Sequence, residues 1–155
     1  SPWLFCRAPE DHIIIRDPKS FRHYAFLRRR WQALGYFLAD GSDNIILNVE
    51  YTKSPKFTFD QSVKQLLNVF EFIYSHADEY HFDLSKVSIG GDSSGAYFSL
   101  YLSILTTNKA LAKHYDYVPK FKIYKTMVNC GVFDYKTAKF DPRLTKYYYG
   151  IIENI

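Results

Sequence analysis

The sequence predicts an α/β domain in which a parallel sheet is flanked by helices in three layers, and three observations predict it. Apolar, β-rich runs alternate with segments of helical periodicity from residue 44 to residue 129. The segments between those runs are long enough to be crossover helices, which parallel strands require and which are nearly always right-handed. The chain has 155 residues, 47% hydrophobic and 23% charged, which suits one globular domain with a buried core.

Taken in chain order, His12 to Ile15 is a short apolar run that reads as a strand. Phe21, Tyr24, Leu27, Trp31, Leu34 and Leu38 then recur at helical spacing and predict a helix between Ser20 and Ala39. Asn44 to Tyr51 is apolar and β-rich, bounded by Gly41-Ser42-Asp43 and Ser54-Pro55, and reads as a buried strand. Thr58, with Gln61 three residues later, offers a capping box for a helix from Phe59 to about His76, carrying Val63, Leu66, Leu67, Phe70, Ile73 and Tyr74 on its apolar stripe. Lys86 to Gly90 is the next strand, stopped by a second glycine, and Ala96 to about His114 returns to helical composition. Phe121 to Asn129 alternates ring, charge and aliphatic residues before Cys130-Gly131 and reads as the last strand of a βαβαβ unit. No repeat, low-complexity tract or linker divides residues 1–155, so a single domain is expected.

Composition excludes several functions. A net charge of +4, scattered along the chain, does not mark a nucleic-acid surface. Arg28, Arg29 and Arg30 spread over about 300° of a helix and make no compact patch. No run approaches the roughly 20 apolar residues of a membrane span, and Ser1 to Glu10 lacks the order of a secretory signal. Cys6 and Cys130 form neither a disulfide framework nor a zinc site, and His12, His23, His76 and His81 have no metal-ligand spacing. No metal or cofactor is expected. The cysteine usage points to a reducing compartment, cytoplasmic or, if a longer chain carries an anchor, associated with the endoplasmic reticulum. Tyr147-Tyr148-Tyr149 suits core packing or the lining of an acyl pocket.

Chemistry concentrates at Gly90-Gly91-Asp92-Ser93-Ser94-Gly95-Ala96, where a strand is expected to end and a helix to begin. The core pattern is Gly-x-Ser-x-Gly. A serine on so sharp a turn occupies an unfavourable backbone region, and its neighbours two residues away must be small or strand and helix collide; Gly91 and Gly95 meet that demand. Ser93 is thereby the candidate nucleophile. The backbone N–H of Ser94 would face a developing oxyanion, aided by the helix dipole. The competing reading is a glycine-rich phosphate cradle, against which stand the missing Gly-Lys-Ser/Thr and Gly-x-Gly-x-x-Gly patterns.

These residues resemble the α/β-hydrolase fold esterases of the hormone-sensitive-lipase type, which include arylacetamide deacetylases and fungal sterol-acetate esterases. Ser85 to Ala96 is similar to that family's nucleophile block, with Asp92 standing where the family has its aspartate. Val49-Glu50-Tyr51, followed by Pro55 and Phe59, resembles its Val-x-Tyr-x-x-x-Pro block. Ile123 to Val132 followed by Asp134 resembles its next strand and a structural aspartate, so the likeness is strongest over residues 44–135. It implies an α/β-hydrolase-like sheet and a carboxylic ester hydrolase working through an acyl-enzyme on short-chain or lipid-like esters, small molecules held without a cofactor.

The chain also departs from the family pattern. No His-Gly-Gly-Gly segment, the usual source of oxyanion-hole N–H groups, precedes the Ser20–Ala39 helix. The only histidine after Ser93 is His114, which a single unbroken helix would carry roughly 30 Å away. Asp116, Asp134 and Asp141 suit surface or turn roles better than that of a triad acid. The resemblance sets the triad acid about 100 residues past Ser93, beyond Ile155, so the expectation is an incomplete domain whose open sheet edge invites association with another polypeptide. The alternative is a non-catalytic remnant or binding module that keeps the hydrolase fold.

Overall fold

A computed structural model of the chain describes residues 3–7, 13–16, 45–52, 56–131 and 133–134. Their strands are β1 (Trp3–Arg7), β2 (Ile13–Arg16), β3 (Ile46–Glu50), β4 (Ser88–Asp92) and β5 (Lys125–Asn129). The helices are α1 (Phe59–Ser75), the short α2 (Ala77–Tyr80), α3 (Ser94–Leu105) and α4 (Lys109–His114), with a 3-10 turn at Leu84–Lys86. The five strands form one sheet in the order β2-β3-β1-β4-β5, parallel throughout except for antiparallel β2 at one edge.

The βαβαβ expectation of a parallel sheet flanked by helices holds, and one further strand lies between two of its members. β3 and β4 are not neighbours, because β1 lies between them and registers Leu4 against Leu47 on one side and Ile89 on the other. The run Trp3-Leu4-Phe5-Cys6-Arg7 carries no alternation and is short, as a central parallel strand is entitled to be, and periodicity alone passes over it. The strand expected at His12–Ile15 forms one residue later. The strand expected to stop at Gly90 continues through Gly91 to Asp92. Phe121 to Tyr124 does not join the last strand, because Phe121 turns into the core and meets the Phe70 ring at 5.4 Å.

Thr58 caps α1 with the anticipated box: its side chain accepts from Gln61 N–H, and Gln61 Oε1 accepts from Thr58 N–H. The helix expected from Ala96 to His114 is two helices. Thr106 and Thr107 turn their hydroxyls onto the carbonyls of Ser103 and Ile104, while Asn108 accepts from Ala110 and Leu111 N–H and starts α4 afresh. Three consecutive side chains that compete for local backbone groups end one helix and cap the next.

Side chains alternate along strands, so Leu47, Val49 and Ile89 share a face of the sheet, and on that face they join Val63, Leu66, Phe70 and Ile73 of α1 and Phe98, Leu102 and Leu105 of α3 in one core. Ile46 points the other way and is buried too. The helix expected over Ser20–Ala39, the Arg28–Arg30 run and Tyr147–Tyr149 lie outside the described residues.

Candidate active site

The sheet's carboxyl edge and the start of α3 meet at Ser93. This residue has φ 54° and ψ −117°, a left-handed conformation that side chains disfavour, and it stands between the last residue of β4 and the first of α3. Such a bend brings helix and strand into contact. A Cβ added at Gly91 would lie 2.4 Å from the carbonyl carbon of Gly95 and 2.9 Å from Ala96 N, so only glycine fits there. Gly95 and Ala96 are themselves buried against the strand.

The turn is held from both sides. Ser93 N–H donates to Asn129 O at the end of β5 (2.9 Å), and Asn129 Nδ2 donates to Asp92 Oδ1 (2.6 Å). Asp92 and Asn129 are register partners in the parallel β4–β5 pair, which explains why one residue reaches both. On the other flank the Tyr51 hydroxyl lies 2.8 Å from Ser94 Oγ. Ser93 O accepts the first helical bonds, from Ala96 N–H (3.1 Å) and Tyr97 N–H (3.3 Å). The N–H groups of Ser94 and Gly95 therefore come before the first intrahelical donor, where a helix presents unsatisfied donors and positive dipole to an anion. The Ser93 side chain is exposed and makes no capping bond; among the described residues none is hydrogen-bonded to its Oγ.

Aromatic rings build the adjoining wall. Tyr51 meets Phe98 edge-on at 4.6 Å, Phe98 stacks on Phe59 at 5.1 Å, and Phe59 touches Tyr97 and Tyr101 at 5.5 and 5.0 Å. A polar chain continues from it: the Tyr101 hydroxyl lies 3.0 Å from that of Tyr115, and Tyr115 donates to Asp60 Oδ1 at 2.7 Å. Burial, and then these bonds, push the Tyr115 hydroxyl well above the usual tyrosine range.

His114 ends α4 with its Nε2 3.9 Å from Asp60 Oδ2 and its ring edge-on to Tyr115. The helix leading to it is broken, contrary to the expectation of one straight rod, and the partners of His114 are Asp60 and Tyr115. His76 is bonded to Phe72 O and Ser75 at the end of α1. Asp116 and Asp134 are exposed, and His12, His23 and Asp141 lie outside the described residues. Among the described residues no group of His, Cys, Asp or Glu is arranged to hold a metal ion, and no helix is long and apolar enough to cross a membrane. Sequence reasoning missed the supporting roles of Tyr51 and Asn129. The first stands in the sequence only as part of a block, and the second only as the end of a strand.

Residues 30–146 match the model of a family described by the alpha/beta hydrolase fold. Solved structures with a similar fold include esterase B from Lactobacillus rhamnosis in a structure with a tributyrin phosphonate, at 13% identity and TM-score 0.72, covering 96% of this chain and 46% of that one. A lipase/esterase from Lactobacillus plantarum matches at 14% identity and TM-score 0.68, over 96% of this chain and 57% of its own. A bacterial heroin esterase matches at 16% identity and TM-score 0.61, over 86% of this chain and 35% of its own. At these identities the likeness is one of fold. The chain spans about half the length of the esterase B structure.

Proposed function

Because the chain belongs to the α/β-hydrolase fold family, we propose that it is the nucleophile-bearing part of a serine carboxylic ester hydrolase. The observation that carries the reading is Ser93 itself, an exposed hydroxyl in a strained conformation on a strand-to-helix turn that Gly91 alone permits. In this reading Ser93 Oγ attacks the acyl carbonyl, and its proton passes to a base from outside the described residues. The carbonyl oxygen becomes the oxyanion, stabilised by Ser94 N–H. Collapse expels the alcohol, which takes up the proton, and water then attacks the acyl-enzyme to release the acid and restore Ser93. Gly91, Asp92 and Gly95 shape and hold the turn. The neighbouring aromatic wall and the esterase names among the similar structures support an uncharged short-chain or lipid-like acyl ester as substrate.

A fluorophosphonate probe tests this directly. Labelling of the folded chain that disappears in Ser93→Ala supports an assembled site. A folded chain that resists the probe supports the second reading, a binding module that keeps the hydrolase fold without its chemistry. That second reading is favoured by the lack of a His-Gly-Gly-Gly segment ahead of the nucleophile in the sequence. In either case β5 is the outermost strand on its side among those described, and Met127 and Val128 on it are 44% and 42% exposed. Association with another polypeptide along that edge is expected to show as concentration-dependent sedimentation, weakened by Val128→Lys.

A further inference from the structure

We infer that Tyr51 is a positioning residue for the Ser93–Ser94 turn, acting through its hydroxyl on Ser94 Oγ. Its consequence for catalysis rests on the reading above; its consequence for the turn does not. Tyr51 follows the end of β3 and is 3% exposed, yet its hydroxyl lies 2.8 Å from a residue 43 positions away. That hydroxyl has little freedom. The ring is fixed edge-on against Phe98, which Phe59 in turn stacks upon. The backbone beside it is fixed as well, because Thr52 N–H donates to Gln65 Oε1 and Thr52 O accepts from Ser62 Oγ, both at 2.8 Å and both on α1.

Ser94 is the first residue of α3. A serine there is free to rotate and to bond nearby backbone groups, an alternative that competes with helix geometry. The Tyr51 hydroxyl captures it. Holding Ser94 Oγ fixes the rotation of the peptide that carries Ser94 N–H, the one side-chain-independent donor identified for the oxyanion, and an error of even a fraction of an ångström in such a donor is costly. The core and the candidate site are thereby linked: the packing of α1 on the sheet sets the tyrosine, and the tyrosine sets the turn.

Tyr51→Phe isolates the claim, since it keeps the packed ring and removes only the hydroxyl. Amide hydrogen exchange is expected to accelerate about five- to tenfold at Ser93, Ala96 and Tyr97, whose N–H groups are bonded at the turn, while amides of α1 stay protected as before, the size of one lost hydrogen bond. Ser94→Ala is expected to do the same, and the double variant to be no worse than either single one. Fluorophosphonate labelling, where the unaltered chain shows it, is expected to slow by a similar factor, with kcat on a short-chain ester falling and KM unchanged. Unaltered exchange at Ser93, Ala96 and Tyr97 in a folded Tyr51→Phe chain, or additive effects in the double variant, overturns the inference. Absent labelling of the unaltered chain defeats the hydrolase reading alone, because the exchange experiment still decides the role of Tyr51.

Discussion

Gly91→Ala is the substitution whose effect follows most directly from geometry. The added methyl would stand 2.4 Å from Gly95 C, 2.5 Å from Gly95 O and 2.9 Å from Ala96 N. Carbon atoms pack best at about 3.5–4.0 Å, so the overlap exceeds 1 Å on atoms that cannot swing aside. Relief requires the first turn of α3 to move off β4, which disturbs the Ser93–Asn129 and Tyr51–Ser94 bonds together. Overpacking of a core ordinarily costs about 1–3 kcal/mol, and a clash with backbone belongs at the upper end, about 3 kcal/mol. Gly131→Ala is the control. Its methyl would meet Phe133 Cζ at 2.2 Å, an even shorter approach, but to the tip of a ring that is 45% exposed and free to rotate away. That change is expected to cost under about 0.5 kcal/mol, the usual range of surface substitutions. In a domain of this length 1 kcal/mol moves the melting temperature by roughly 2–4 °C, so Gly91→Ala should lose about 6–12 °C and Gly131→Ala less than about 2 °C. Urea denaturation followed by circular dichroism measures both, with fluorophosphonate labelling as the local reading. Equal stability of the two variants would refute the argument that strand and helix are in backbone contact at the turn.

Four further expectations rest on the same geometry. Ser93 bears a backbone conformation costing about 1–3 kcal/mol for a residue with a side chain, so Ser93→Gly should gain about 1 kcal/mol in urea while Ser93→Ala changes little; a destabilised glycine variant contradicts the strain. Asn129→Ala should cost about 0.5–1 kcal/mol by removing the bond to Asp92, and Asn129→Asp should cost more by opposing two carboxylates; the ranking is checked by denaturation at neutral pH and should fade at acid pH. Thr58→Ala removes one half of the capping box and should cost about 1 kcal/mol, whereas Thr58→Ser should be nearly silent. Alkaline stability reports the buried Tyr115 and the half-buried Tyr117. Burial first, then hydrogen bonds, raise Tyr115, and burial followed by the Glu71 charge raises Tyr117, above their ordinary value of 10.0. The folded chain then keeps protons that the unfolded chain releases. Stability is fully present below about pH 10 and falls above it, by at most about 1.4 kcal/mol per pH unit for Tyr115 and by less for the partly solvent-screened Tyr117. Tyr115→Phe should flatten that fall, and an unchanged slope would exclude Tyr115 as a source.

Legibility in the sequence depends on how far apart the interacting atoms lie along the chain. The turn at Ser93 was readable because its constraint is local: Gly91, Ser93 and Gly95 fall within five residues, and the clash that selects glycine involves their own backbone. The Thr58–Gln61 box was readable for the same reason. The break after Leu105 was written locally too, in Thr106-Thr107-Asn108, but apolar periodicity through Leu105 and Ala112 outweighed it. That is a fault of weighting, since three side chains able to cap or back-bond carry more information about a helix end than two apolar positions carry about its continuation. The insertion of β1 between β3 and β4 had no local signal at all; it is a choice of strand order, settled by which faces each strand must bury. The supports of the turn inherit that dependence. Asn129 meets Asp92 only because β4 and β5 pair in one particular register, and a shift of one residue would point its side chain to the opposite face. Tyr51 meets Ser94 only once α1, β3 and α3 share a core. A reactive group is therefore announced by short-range sterics, while the parts that hold it to tolerance are supplied by tertiary packing. Changes that leave the Gly-x-Ser-x-Gly segment intact but alter Tyr51 or Asn129 are where sequence and activity should part company.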